Sequence, residues 1–173
     1  NKLLVPLAYA YMKLERAKDA YALISPLKKE KPSPKLLTIY GDAAMSVGKL
    51  DEARTILTTA LKLRPDHAPT KEVTIRNLFK LGYRDLTKKQ FPKAISNLKK
   101  ALAIDSKNTN VIRNLALLYL MGKDYANAEQ QLNSGLKLQP NNYYFVRLLG
   151  RLYLEKGDHK LAIKHLETAR EKA

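Results

Sequence analysis

Apolar residues recur along this chain with a helical period, in paired segments that repeat. Over residues 109–121, a helix advancing 100° per residue puts Ile112, Leu115, Ala116 and Tyr119 on one stripe. Asn110, Arg113, Asn114 and Leu117 fall on the opposite face. The stretch Tyr125 to Leu138 repeats the arrangement with Ala128, Leu132, Leu136 and Leu138. Between the two lies Gly122-Lys123-Asp124, read as a turn with Gly122 suited to a left-handed backbone and Asp124 to a helix start. No segment alternates with a period of two, so the pattern predicts an all-α chain.

The pairs share one register. Ala20, Ala53, Ala94, Ala128 and Ala162 are spaced 33, 41, 34 and 34 residues apart. Twelve residues before each stands a small residue: Ala8, Gly41, Gly82, Ala116 or Gly150. Small side chains at both slots let the two helices of a pair approach closely. Pro32, Pro65 and Pro140 follow the second helices, where a missing N–H stops propagation, and Pro92 fits a first turn.

These residues resemble the tetratricopeptide repeat, whose pattern runs W-x2-L-G-x2-Y, then A-x3-F, then P. One unit reads Val146, Leu149-Gly150, Tyr153, Ala162, Leu166; another reads Ile112, Leu115-Ala116, Tyr119, Ala128, Leu132, Pro140. The tryptophan slot holds Leu4, Leu37, Leu78, Ile112 or Val146; Asp85 stands in an aromatic slot beside Leu86, and Gly135 in an alanine slot. The resemblance implies a right-handed α-α superhelical solenoid of about five helical hairpins, with first helices lining an inner surface. The expected units are 1–33, 34–66, 75–108, 109–142 and 143–173 of a single solenoid. Residues 67–74 are an insertion that extends the first helix of unit three backward.

Composition narrows the function. No apolar run reaches the 18 residues of a membrane span, and no signal-peptide layout opens the chain. Asn1 opens inside a repeat, which predicts a piece of a longer protein. With no cysteine there is neither a thiolate metal site nor thiol catalysis. The glycines all serve packing or turns, leaving none for a phosphate-cradling loop, and His159 and His165 do not pair as metal ligands. The expectation is a protein that is not an enzyme and has no catalytic residue, metal or cofactor.

Net charge is +16, and residues 75–108 hold nine Lys and Arg against Asp85 and Asp105, a local excess of +7. The lysines Lys88, Lys89, Lys93, Lys99, Lys100 and Lys107 belong to a turn and a second helix, expected on the outer surface. The inner face is different. It should present Arg76, Phe79, Lys80 and Tyr83, then Arg113 and Asn114, then Tyr144, Arg147, Leu148 and Arg151, with Glu155 as the one acid near the rim. Units one and two offer a mixed face with Lys2, Thr38, Ile39 and Asp42.

Arginine forks suit carboxylates, and Asn114 can bond a peptide backbone in both directions. The leading expectation is therefore an interaction scaffold whose groove binds an extended or helical, acidic segment of another protein. The lysine–asparagine–arginine clamp by which some family members hold chaperone tails is absent; only Asn114 matches it. Two readings stay open beside this one. One is nucleic-acid or phosphate-polymer binding through the lysine-rich face. The other is an assembly module of a bacterial envelope or secretion complex, self-associating through its terminal repeats, because the repeat is similar to arrays of envelope lipoproteins.

Overall fold

The computed structural model describes residues 3–26 and 32–172; Lys2 lies outside them. All regular structure among these residues is helical. The elements are α1 Leu4–Lys13, α2 Ala17–Ile24, α3 Pro34–Ser46, α4 Leu50–Leu63, α5 Ala68–Thr87, α6 Phe91–Ile104, α7 Thr109–Met121, α8 Tyr125–Leu138, α9 Tyr143–Lys156 and α10 His159–Glu171. The helical-repeat class is the expected one. Two compact units, Asn1–Leu81 and Gly82–Ala173, divide the chain, with their boundary inside α5.

Each hairpin turn is built by the same backbone device. The residues with positive φ are Glu15 (58°), Gly48 (86°), Lys89 (58°), Lys123 (58°) and Gly157 (81°), in the same phase as the anchoring alanines. The following N–H then reaches back to the aromatic-slot residue: Asp124 donates to the Tyr119 carbonyl at 2.8 Å, and Gln90 to that of Asp85 at 2.8 Å. This left-handed closure satisfies carbonyls that a helix end leaves without partners. Gly122 does not supply the left-handed residue; its φ is −83°, and Lys123 takes that role.

In the first unit, Ala8, Ile24, Leu36, Ile39 and Tyr40 form one apolar cluster. A second gathers Ala44, Met45, Ala53, Leu57 and Val73. Gly41 is needed here, because a Cβ on it would lie 2.5 Å from the Leu57 side chain. A chain of hydroxyls crosses the same region. Thr38 donates to the Pro34 carbonyl (2.8 Å), and its oxygen meets Thr70 Oγ1 at 2.6 Å, which in turn meets His67 Nδ1 at 2.6 Å.

In the second unit α6 packs on α7, α7 on α8 and α9, α8 on α9, and α9 on α10. Gly150 lets α10 approach: a Cβ would meet Leu166 Cγ at 2.6 Å. Gly82 differs from Gly41 and Gly150, since a Cβ there would make only ordinary contacts from 3.6 Å outward. The close approach expected of Gly82 is thus not required by packing. Asp85 is buried in its aromatic slot, and its compensation is polar rather than the apolar Leu86: Asn97 Nδ2 donates to Oδ2 at 2.9 Å, and Arg84 lies beside Oδ1 at 3.4 Å.

Candidate partner-binding face

Two first helices, α7 and α9, carry the core of the expected site, and asparagine caps start both. Asn108 Oδ1 accepts from the Val111 N–H at 3.2 Å, and Asn142 Oδ1 from the Tyr144 N–H at 3.0 Å. Each cap satisfies one orphan donor and fixes where the first turn begins. That placement puts Arg113 of α7 beside Tyr144 of α9, guanidinium carbon to ring centroid 5.2 Å. Arg147 lies 5.9 Å from the same centroid and 5.6 Å from that of Tyr143. The two tyrosines meet edge to face at 5.4 Å.

Two guanidiniums thus lie within about 6 Å of one aromatic ring, inside the range of cation–π attraction. Tyr144 is still 48% exposed. Among the described residues neither Arg113 nor Arg147 has an ion pair with an acid. Stacking uses the face of a guanidinium and leaves its N–H edge free for an oxyanion. Helix α7 contains no acid, and the first acid along α9 is Glu155.

The other expected residues fare differently. Arg151 bonds Glu155 through Nε at 2.7 Å, so its charge is already shared within α9. Asn114 turns its amide onto the Asn110 carbonyl of its own helix at 2.7 Å. Tyr83, on the second unit's part of α5, is 71% exposed. In the first unit Arg76 is paired with Asp42 at 2.9 Å, Lys80 is exposed and Phe79 half-buried.

Leu148 is a correction: at 4% exposure it belongs to the core and cannot face a ligand. Thr38 and Ile39 are likewise buried. Tyr143 was missed by sequence reasoning, although its place one residue before Tyr144 and four before Arg147 on a helix is a readable signal.

Comparison with known proteins follows the same lines. Family models described as tetratricopeptide repeat match residues 85–152 and, separately, 34–67 and 148–169.

The chain belongs to the tetratricopeptide repeat family.

A BBSome complex member BBS4 homolog of Drosophila melanogaster is 26% identical over 172 residues, covering 98% of this chain and 34% of that protein. The tetratricopeptide repeat-containing protein MJ1428 of Methanocaldococcus jannaschii is 39% identical over 72 residues, 40% of this chain and 13% of that protein. This tetratricopeptide chain therefore spans about a third or less of these two curated relatives. Among solved structures, a crystal structure of MamA protein superposes with a TM-score of 0.71 at 19% identity, covering 99% of this chain and 93% of that one. MamA from Desulfovibrio magneticus RS-1 gives a TM-score of 0.68 at 23% identity, with coverage of 99% and 93%. These likenesses are of fold. As a tetratricopeptide array, the chain is a protein–protein interaction scaffold.

Proposed function

We propose that this scaffold binds an acidic segment of a partner protein along the α7–α9 face of its second unit. The observation that carries the reading is the approach of both Arg113 and Arg147 to the exposed Tyr144 ring, two cations without an acidic partner among the described residues. Arginine guanidiniums and an exposed tyrosine ring are among the residue types that dominate binding energy at interfaces. The guanidiniums' contacts with the ring restrict part of the side-chain freedom before the partner arrives, which lowers the cost of binding. The partner presents carboxylates to Arg113 and Arg147 and packs apolar or peptide surface on Tyr144. Tyr83 is a further exposed aromatic of the same unit, whereas Arg151 and Asn114 must first give up their present bonds and contribute less.

Binding of a fluorescein-labelled Glu/Asp-rich dodecapeptide, followed by anisotropy, tests the reading. The double substitution Arg113→Glu with Arg147→Glu is expected to weaken it by more than tenfold. Unchanged affinity rejects the site.

A further inference from the structure

The lysines of the second unit form a separate surface with different chemistry. Helix α6 contains no acidic residue, and Lys88, Lys89, Lys93, Lys99, Lys100 and Lys107 on it and its two flanking turns are all exposed. None of the six is in an ion pair with a described acid. Asp105, the one nearby acid on the C-terminal side, is occupied locally: it accepts from the Lys107 N–H at 3.1 Å and from Asn108 Nδ2 at 3.2 Å. At 100° per residue, the exposed ridge of α6 is made of short side chains, Pro92, Ser96 and Ala103. Lys93 and Lys100 flank it on one side, about 10 Å apart along the axis, and Lys99 on the other. An open, shallow depression runs along this ridge, lined by Pro92, Ile95, Ser96, Lys99, Lys100 and Ala103.

We propose that this α6 ridge is a second docking surface, which takes the phosphate backbone of a nucleic acid without reading its sequence. Lysine is a compact point charge without the planar fork that suits carboxylates, so six exposed lysines on and beside one helix answer charge density rather than shape. A linear phosphodiester supplies that density, and release of its condensed counterions supplies the affinity. Lys99 lies over the buried Tyr119 ring, ammonium to centroid 5.8 Å, and the ridge carries no exposed aromatic or long aliphatic side chain to enter the hydrocarbon of a bilayer; an anionic membrane is thereby disfavoured. Base recognition is absent because no exposed aromatic or arginine lies on the ridge.

The test uses a labelled 20-base-pair duplex of arbitrary sequence and, in parallel, vesicles of neutral lipid with 30% phosphatidylserine. Binding to the duplex is expected at 50 mM salt. It should weaken by about 10³-fold at 200 mM if all six lysines contact phosphates, and change little with base sequence. Lys99→Glu with Lys100→Glu should cost at least tenfold, and clearly more than the equal charge change of Arg113→Glu with Arg147→Glu. The proposal is overturned by absence of binding at 50 mM salt, by indifference to the lysine reversals, or by stronger binding to vesicles than to the duplex.

Discussion

Phe145 occupies the space that a side chain on Gly135 would need. A Cβ built on Gly135 runs into the Phe145 ring, and Phe145 is fully buried. The glycine in this alanine slot is therefore matched to an aromatic ring at the start of the next first helix, and the pair fixes how α8 meets α9. Gly135→Ala is expected to destabilise the protein by about 1–3 kcal/mol through overpacking, read as a lower urea midpoint. Phe145→Leu should recover part of that loss in the double variant. Gly82→Ala, where the added methyl meets only ordinary contacts, is the control and should be neutral or slightly stabilising.

The turn residues give a second expectation. A left-handed backbone costs a non-glycine residue about 1–2 kcal/mol, and the greater unfolded-state freedom of glycine returns about 0.5–1 kcal/mol of that. Lys123→Gly and Lys89→Gly should each stabilise by about 0.5–1 kcal/mol, the difference of those two quantities. Gly122→Ala should be tolerated, because its φ is negative and a Cβ there meets nothing nearer than 3.5 Å. Urea unfolding of the three single variants checks the ordering.

Asp85 and Asn97 form a buried polar pair. Asn97→Ala removes a hydrogen bond to a buried carboxylate, a loss of about 1.5–3 kcal/mol. Replacing both residues with leucine should cost less than the sum of the single changes, since the polar atoms of the buried pair are then removed together. A double-mutant cycle in urea measures the coupling.

The α8–α10 junction sets a pH window. The Tyr153 hydroxyl donates to Glu129 at 2.6 Å, and Lys156 bonds the other carboxylate oxygen at 3.2 Å. The Tyr153 bond holds the Glu129 carboxyl below its ordinary range, against some opposition from burial, with Lys156 helping. The same bond, aided by burial, pushes the Tyr153 hydroxyl up to about 12. His165, stacked on Tyr153 at 5.4 Å, is pushed below its ordinary value first by burial and then by Lys164.

The signs follow from linkage. Glu129 and His165, both depressed in the folded state, contribute stability above their unfolded values and lose it as pH falls through their folded ones. Tyr153, raised in the folded state, contributes below pH 10 and loses its contribution as pH climbs toward 12. Stability should plateau between neutrality and about pH 10. Glu129→Gln should flatten the part of the acid limb below pH 5, and His165→Phe the part just below neutrality. Melting temperature against pH for the three proteins reads this out.

Much of the fold was legible because each hairpin repeats a local requirement. A small residue and an alanine twelve apart allow close helix contact, so the helical-repeat class followed from spacing. What escaped were features set across hairpins or by single dihedral angles. Nothing in Gly122-Lys123 says which of the two takes the left-handed turn. Arg76 finds Asp42 one repeat away, and Leu148 is buried because a first helix is covered over a wider arc than one stripe. The candidate face was half legible: Arg113, Tyr144 and Arg147 follow from helical spacing, but the diversion of Arg151 to Glu155 and of Asn114 to its own backbone depends on rotamers that spacing does not fix.

The most direct test of the acidic-segment reading is a ¹⁵N-resolved NMR titration with the Glu/Asp-rich dodecapeptide. The expected result is saturable shifts centred on the Arg113 and Arg147 side-chain Nε–H groups and the amides around Tyr144. Shifts confined to the lysines of α6, or none at millimolar peptide, contradict it.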